Sequence, residues 1–211
     1  MWHLTTRLAA AGTGLLALIG LAGCENPGER RNFDRGQVFA SAMAGADLTD
    51  TADTSVQTGT ASYSGTGFGR FTGGSSGFNA LSDLALQVDF DDGTLSGDMT
   101  GWISEDSMNY TMEGDVLITN GRIAGDGTFV AQLAGNVLRK PTARNILGGQ
   151  GDPVPGEDPE PRTVRSEQIF FGGGDVVGTF HDEWDTRAPA EYVQGEFAGP
   201  GLTGFFAGRR D

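Results

Sequence analysis

The densest group of side chains that could do chemistry is His181-Asp-Glu-Trp184-Asp, which places an imidazole, three carboxylates and an indole within five residues. Such a group could bind a metal through the imidazole and carboxylates, or contact a partner through the indole. The other histidine, His3, lies in the N-terminal leader, so the common multi-histidine metal sites are excluded. We therefore interpret the group as a solvated loop, with His181 and Trp184 as candidates for partner binding, and predict no metal site.

The remaining short motifs do not assemble a known enzyme class. A Ser-His-Asp triad would need His181, but no Gly-x-Ser-x-Gly motif precedes a helix. Asp89-Phe-Asp-Asp-Gly93 begins like a calcium-binding loop, yet Thr100 stands at the twelfth position, where a bidentate glutamate is required, so we interpret the motif as a turn. Gly172-Gly-Gly174 has no following lysine or helix, which favours a bulge or kink over a phosphate site. The sequence predicts a protein that is not an enzyme.

The net charge of the chain indicates which classes of partner it can bind. The chain has 28 acidic and 14 basic residues, a formal net charge of -14, so its surface repels nucleic acid and anionic lipid headgroups. A local basic group, Arg139, Lys140 and Arg144, is followed by acidic residues that extend to Glu160. We predict that these three basic side chains contact a protein or a small solute.

The N-terminus predicts export. MWHLTTR is followed by LAAAGTGLLALIGLAG, an apolar run that is shorter than the roughly 20 residues of a typical membrane-spanning helix. The run ends in Leu21-Ala-Gly-Cys24, which resembles a bacterial lipobox, so we expect cleavage of a signal peptide of residues 1–23 and lipidation of Cys24. Acyl chains anchor a protein with about 0.8 kcal/mol per buried methylene. A plain secretory signal with a free Cys24 thiol is the alternative. Glu25 follows the cysteine, where an aspartate would resemble the inner-membrane retention signal of enteric bacteria, so the outer membrane is favoured.

The elements that position these residues follow from composition. Glycine occupies 35 of the 211 positions, and hydrophobic residues make up only 37%. Each interior glycine costs a helix about 1 kcal/mol relative to alanine, whereas a chain of short strands and many turns accommodates glycine. We expect an all-β protein, in which residues 24–57 form a lipidated flexible tether and residues 58–211 form a single eight-stranded antiparallel, up-and-down β-barrel.

Period-two alternation of apolar residues marks the strands. The clearest hairpin joins residues 84–90 to residues 95–102 across the turn Asp91-Asp-Gly93. Further strands are predicted near residues 60–65, 110–118, 122–133, 168–171, 175–180, 192–197 and 202–208. These nine stretches predict a barrel of about eight strands, arranged as a meander.

Two connections carry specific predictions. Asn120-Gly121 is the dipeptide most suited to a primed two-residue turn, so we place a hairpin turn there. Leu138–Arg165 holds five of the eight prolines and has no sustained period, which predicts a long surface loop.

Glycine recurs two positions before phenylalanine, and residues two apart in a strand share one face. The five occurrences are Gly69-Arg-Phe71, Gly127-Thr-Phe129, Gly178-Thr-Phe180, Gly195-Glu-Phe197 and Gly204-Phe-Phe206. Small barrels fill their interior by alternating small and large residues, so we predict that each glycine leaves room for a ring from a neighbouring strand. A phenylalanine-lined pocket for an apolar ligand is the alternative.

Longer motifs carry a family resemblance. The hairpin VDFDDGTLSG (Val88–Gly97) and the ending GTF...AEYVQGEF...GLTGFFAGRR resemble the barrel domains of transferrin-binding protein B and its lipoprotein relatives. The resemblance spans residues 59–210 and implies an eight-stranded antiparallel barrel. Relatives include surface lipoproteins that bind transferrin, haemoglobin or complement factor H.

The chain also departs from that family. Residues 181–187 stand between Phe180 and Ala190-Glu191, where the family has a short turn. Transferrin-binding protein B itself has two lobes, each with a barrel and a handle domain. This chain has room for one barrel and no handle, so transferrin binding is not implied.

On these grounds we expect a lipid-anchored outer-membrane lipoprotein at the cell surface, whose barrel binds a host or environmental protein or solute in iron or haem acquisition. The resemblance implies a TonB-dependent receptor or a surface lipoprotein assembly modulator as partners. No cofactor is predicted, although the iron-scavenging relatives make haem ligation by tyrosine or histidine conceivable. The alternatives are the periplasmic face, an accessory envelope lipoprotein without a soluble ligand, and a small-molecule carrier that uses the barrel interior.

Overall fold

The computed structural model describes residues 52–73, 77–105, 107, 109–142, 165–181 and 188–211, which form strands and turns without a helix. The strands are β1 (Thr60–Phe71), β2 (Phe78–Asp89), β3 (Thr94–Ser104), β4 (Tyr110–Ile123), β5 (Thr128–Pro141), β6 (Glu167–Phe171), β7 (Asp175–His181), β8 (Tyr192–Gly199) and β9 (Leu202–Arg210). A helix long and apolar enough to cross a membrane is not found in these ranges.

The sheet closes on itself. Neighbouring strands pair antiparallel in the order β1, β2, β3, β4, β5, β7, β8, β9, and β9 pairs back with β1 from Tyr63↔Arg210 to Phe71↔Leu202. Closure removes the sheet edges of these eight strands, which would otherwise expose unpaired backbone groups. The predicted all-β barrel of eight antiparallel strands is confirmed, with β6 as one additional strand.

The additional strand shares its place in the wall with β7. Residues Thr128–Gln132 of β5 pair with β7, whereas Asn136–Arg139 pair with β6, so β6 and β7 lie end to end along β5. Between them Gly172, Gly173 and Gly174 all have positive φ angles of 49°, 86° and 143°. Glycine tolerates this region because it has no Cβ, and the predicted kink at the triple glycine is confirmed.

The prediction of a hairpin turn at Asn120-Gly121 is wrong. β4 continues to Ile123, and the register shifts around these two residues, which form a bulge inside the strand. Asn120 adopts the left-handed φ of 55°, and a Cβ on Gly121 would lie 2.3 Å from Cγ of Leu95. The dipeptide therefore bends β4 over a core leucine of β3, and the turn lies at residues 124–127.

The prediction of a loop at Leu138–Arg165 places the start of the loop too early in the sequence. β5 runs to Pro141, and Leu138–Pro141 pair with Tyr110–Glu113 of β4. Alternation explains the extension, because Arg139 points into the barrel while Lys140 points outward beside a carboxylate of β4. Residues 143–164 lie outside the described residues.

Phenylalanine rings cover three of the five glycines of the Gly-x-Phe units, as predicted. The other two differ, because a Cβ on Gly69 would meet Leu202 and Trp102, and Gly127 lies in the β4–β5 turn with a positive φ. The directly opposed pairs on neighbouring strands are Phe129 with Gly178, Phe206 with Gly195, and Phe197 with Gly204. A Cβ added to these glycines would lie 2.2, 2.5 and 2.6 Å, respectively, from a ring carbon of the opposed phenylalanine. Each ring thus occupies the space that a side chain on the neighbouring strand would need.

The rings also pack on one another. Phe180 is fully buried, and its ring centroid lies 5.7, 5.4 and 5.3 Å from those of Tyr63, Phe90 and Phe129. These separations are typical of tilted and edge-to-face aromatic contacts. Aromatic side chains therefore fill this part of the barrel interior.

Residues 52–57 cover one end of the barrel, and we call them the N-terminal cap. Thr54 Oγ1 donates to the carbonyl of Ala124 at 2.6 Å, and Gln57 Oε1 accepts from the N–H of Ala190 at 3.1 Å. Both polar side chains are buried, so these bonds stabilise them away from water. The packed part of the chain thus includes residues that the sequence assigned to the tether.

Candidate partner-binding surfaces

The barrel has two different ends. The end that we call the cap end carries the N-terminal cap and the β2–β3, β4–β5 and β7–β8 connections. The opposite end, which we call the loop end, carries the β1–β2, β3–β4, β5–β6 and β8–β9 connections. The longest of these connections in sequence, residues 142–166, joins β5 to β6.

Arg139 lies inside the loop end. Its side chain is buried, and its guanidinium carbon lies 3.6 Å from the ring centroid of Tyr110 and 4.5 Å from that of Phe78. A guanidinium between two ring faces is attracted by their negative quadrupoles, by about 2 kcal/mol or more when desolvated. Arg139 therefore joins β5 to the first residues of β2 and β4, and it positions the base of the β5–β6 connection.

Lys140 lies on the outer wall at the same level. Its ammonium group forms an ion pair with Oε2 of Glu113 on β4, and both side chains are substantially exposed. Exposed ion pairs contribute at most about 1 kcal/mol, so a partner's carboxylate could replace that of Glu113. Arg144, the third predicted basic residue, lies outside the described residues.

The assignment of His181 to a solvated loop is wrong: His181 is the last residue of β7, at the cap end. Its side chain is buried, and its backbone lies opposite that of Tyr192 on β8. The ring of Tyr192 lies 5.6 Å from the guanidinium carbon of Arg209, which pairs with Glu191 at 2.6 Å. Trp184 lies outside the described residues, as does the predicted lipidation site, Cys24.

The two predicted partner-binding groups lie at opposite ends of the barrel. Thr128 of β5 lies opposite Thr179, two residues before His181, and Arg139 lies eleven residues further along the same strand. His181 and Arg139 are therefore thirteen residues apart along the strands, or about 43 Å at 3.3 Å per residue. One small contact surface therefore cannot include both His181 and the pair Arg139 and Lys140.

Two contacts at the cap end were not predicted. The hydroxyl of Tyr63, buried in the barrel, donates to the carbonyl of Ala190 at 2.7 Å, while Gln57 holds the N–H of the same residue. Together they fix the chain just before β8. The sequence gives no signal for Gln57, because an isolated polar residue in a polar stretch has no periodicity.

One carboxylate at the cap end has a shifted pKa. The hydroxyl and the N–H of Thr128 both donate to Oδ1 of Asp126, at 2.7 and 3.1 Å. These hydrogen bonds stabilise the ionised form, so the pKa of Asp126 lies below its usual value. The shift belongs to the β4–β5 turn, where the carboxylate fixes the start of β5.

No protein-family model matches this sequence, and no curated protein matches it significantly. The fold itself defines an architectural class: a closed eight-stranded antiparallel barrel, capped at one end by its own N-terminal segment, with an aromatic interior.

Proposed function

We propose that this chain is a lipid-anchored outer-membrane lipoprotein whose barrel presents its loop end to a protein or solute ligand. The observation that carries the proposal is that the N-terminal segment and the longest connection leave the barrel at opposite ends. The chain that leads back to Cys24 leaves the barrel at the cap end, where Thr54 and Gln57 are held by buried hydrogen bonds. The longest connection leaves at the opposite end.

The dimensions of the wall suit this role. β5 has 14 residues, which corresponds to about 46 Å of strand and about 35 Å of height at an ordinary barrel tilt. With the cap end toward the membrane, the loop end stands well above the lipid headgroups. Loops on a closed barrel can vary in sequence while the scaffold holds their ends rigidly.

Binding is assigned to the β5–β6 connection together with Lys140 and Arg144. Arg139 is a positioning residue, because its guanidinium packs against Tyr110 and Phe78 at the point where the connection begins. The resemblance to transferrin-binding protein B relatives suggests iron or haem acquisition, with a TonB-dependent receptor or a surface lipoprotein assembly modulator as further partners. The function is binding and display without catalysis.

The carrier alternative receives less support. Aromatic side chains occupy the barrel interior around Phe180, so a ligand there would have to displace rings that already pack on one another. A loop-end surface requires no such change.

The ligand assignment is tested by replacing residues 144–163 with a short Gly-Ser linker. A ligand is first recovered with the intact protein from the medium of the cells, and its affinity for both proteins is then measured by calorimetry. We expect the replacement to abolish binding, and a replacement of residues 183–186 at the cap end to leave it unchanged. The opposite result would assign the ligand to the cap end, and repeated recovery of no ligand would favour an accessory envelope role.

The anchor and the leaflet are tested separately. We expect radiolabelled palmitate to be incorporated into the native protein and not into a Cys24→Ala variant. Protease added to intact cells should cut the β5–β6 connection. Protection of that connection until the outer membrane is opened would place the barrel on the periplasmic face.

A further inference from the structure

An open groove of about 390 Å³ crosses the outer wall close to the cap end. Seven of the residues that line it are polar, and their side chains point outward, because they alternate along the strands with buried residues. They are Thr60 on β1, Gln87 and Asp89 on β2, Thr94 and Ser96 on β3, and Asn120 and Arg122 on β4. The groove is therefore a polar surface feature that is separate from the aromatic interior.

The bulge at Asn120-Gly121 shapes the β4 side of the groove. The register of β4 shifts there against both β3 and β5. A bulge bends its strand and re-aims the side chains beside it, and bulges are common next to functional sites. Arg122 is the first residue after the bulge, so the bend determines where its side chain stands relative to β3.

Opposite charges stand on the two sides of the groove. Thr94 lies opposite both Asp89 and Arg122, so two strand spacings, about 10 Å, separate the Cα atoms of the charged residues. Asp91 and Asp92 follow in the β2–β3 turn, both exposed, and add to the negative charge on that side. Arg122 forms no ion pair within the described part of the chain. The β2 side is thus anionic, and the β4 side is cationic.

Two amide side chains in the groove are held by hydrogen bonds. Oε1 of Gln87 accepts from the hydroxyl of Ser62 at 3.0 Å, which leaves the Nε2 donors for a ligand. Nδ2 of Asn120 donates to Oε1 of Gln132 at 2.9 Å, which leaves the Oδ1 acceptor for a ligand. The hydroxyl of Thr94 both donates and accepts. The groove therefore offers neutral donors and acceptors in addition to its two charges.

We propose that the groove binds a small zwitterion that carries a primary ammonium group and a phosphodiester. The ammonium group donates to the carboxylate of Asp89. The phosphate oxygens accept from the guanidinium of Arg122, whose planar fork of donors suits phosphate. Thr94 stands between the two charged residues, where its hydroxyl donates to a phosphate oxygen.

The separation of the two charges selects the length of the ligand. In an ethanolamine phosphodiester, four single bonds of about 1.5 Å join the nitrogen to the phosphorus, which gives about 5 Å when extended. Side chains whose Cα atoms are about 10 Å apart can contact such a ligand from both sides. In an α-amino acid the nitrogen and the carboxylate carbon are only about 2.5 Å apart, so the longer zwitterion matches the groove better.

Ligands with a single charge match the groove less well. Asp89, Asp91 and Asp92 repel an anion on one side, and Arg122 repels a cation on the other. The net charge of -14 also opposes the binding of anions. An ethanolamine phosphodiester has no net charge at neutral pH, so the overall field of the protein does not oppose it.

Two sources supply this chemistry. One is the headgroup of phosphatidylethanolamine in a membrane, and the other is a soluble ethanolamine phosphodiester. The membrane source rests on the proposed function, because it requires the cap end, which carries the groove, to face the lipid. The site itself does not depend on the anchor or on what the loop end binds.

The site is tested on the chain from residue 24, with Cys24→Ser so that no acyl chain is attached. Glycerophosphoethanolamine is titrated while the backbone amide signals are followed by NMR. We expect saturable shifts at millimolar concentration, centred on Thr94 and Gly121. Inorganic phosphate alone and ethanolamine alone should each bind at least about tenfold more weakly, because each engages only one charge. Equal binding of phosphate alone, or no saturable shift with the diester, would overturn the proposal.

Matched substitutions isolate the two charges. Arg122→Gln and Asp89→Asn should each weaken binding about tenfold, the loss expected for one charge-assisted hydrogen bond. Asparagine keeps an oxygen for the N–H of Asp92, so the β2–β3 turn should fold unchanged. The controls are Arg70→Gln and Asp175→Asn, which remove exposed charges elsewhere on the wall and should leave the affinity unchanged. Equal weakening in the controls would show a nonspecific effect of charge and contradict the site.

Vesicle flotation distinguishes the two sources. The unlipidated parent is mixed with vesicles of phosphatidylcholine, whose trimethylammonium group has no N–H to donate, with or without phosphatidylethanolamine. Flotation with the phosphatidylethanolamine vesicles that is lost in Arg122→Gln would identify the lipid headgroup as the ligand. Binding of the soluble diester without flotation would support the site and assign it to a soluble source. Neither result bears on the lipidation of Cys24, which the palmitate label tests separately.

Discussion

Substituting Gly195 with alanine tests whether glycines in the wall are spaces reserved for rings. Gly195 on β8 lies opposite Phe206 on β9 and opposite Gly178 on β7. An added Cβ would lie 2.5 and 2.9 Å from two ring carbons of Phe206 and 2.9 Å from the carbonyl oxygen of Val177. Contacts this short force the ring or the strand to move.

The magnitude follows from packing. Overpacking a filled core costs about 1–3 kcal/mol, and alanine returns about 0.5 kcal/mol by restricting the unfolded chain. Because the ring of Phe206 is held among buried side chains, we expect Gly195→Ala to lower the free energy of unfolding by about 2 kcal/mol. Gly77→Ala is the matched control, since its nearest contacts would be at 3.3 and 3.9 Å and its position is exposed. We expect that variant to change stability by less than about 0.5 kcal/mol.

The cause is isolated by a double-mutant cycle. Phe206→Leu shortens the ring side chain and should cost about 1 kcal/mol alone. If the ring is what the new Cβ meets, the double variant should be about 1 kcal/mol more stable than the sum of the single effects predicts. The assay is urea unfolding followed by circular dichroism, with equal m values required across the set. Strictly additive effects, or equal losses in Gly195→Ala and Gly77→Ala, would refute the packing argument.

Three further predictions follow from the wall and the cap end. Gly204→Val should destabilise the barrel by about 3 kcal/mol, because its Cβ would meet a backbone oxygen at 2.0 Å, whereas the exposed Glu196→Ala should be nearly neutral in the same unfolding assay. A chain that begins at Thr58 lacks the N-terminal cap and should still give a β-type spectrum, but with an unfolding midpoint lower than that of the chain that begins at residue 24; an identical midpoint would show that the cap contributes nothing. The pKa of Asp126 is lowered from 3.8 by hydrogen bonds from Thr128, so this contribution to stability is complete well above pH 3.8 and disappears as the pH falls through the lowered value. A carboxyl NMR titration should give a midpoint below 3.8 that rises in Thr128→Val.

The sequence predicted the barrel because its signals are local and repeated. Alternation places the strands, and the Gly-x-Phe units report interior packing, since a ring and its glycine space lie on one face. The last two strands, joined at Gly199-Pro-Gly201, were predicted within two residues of their observed bounds. The turn at Asn120-Gly121 failed for a tertiary reason, because the conformation that suits a primed turn also suits a bulge, and Leu95 of a neighbouring strand occupies the space beside it.

The candidate surfaces were less predictable because they depend on which strands meet. The sequence placed Arg139 in a loop, since no local pattern says that Phe78 and Tyr110, about 60 and 30 positions earlier, provide two ring faces for it. The sequence-based prediction assigned His181 and Lys140 to one partner-binding function, although the antiparallel strand pairing places them at opposite ends of the barrel. The N-terminal cap was missed because its contacts are hydrogen bonds to distant backbone groups.

Closure of the wall by the first and last strands has a kinetic consequence. Ser64 on β1 bonds to the carboxylate of Asp211, 147 positions away, and β1 pairs with β9 along nine residue pairs. The ring of strands therefore cannot be completed until β9 has been synthesised and is free to pair. Until then β1 is an unpaired edge, which is the species most prone to misassociate with other chains. Contacts of such long sequence separation also slow the rate-limiting step, so we expect slow refolding in which protection of the β1 and β9 amides appears together.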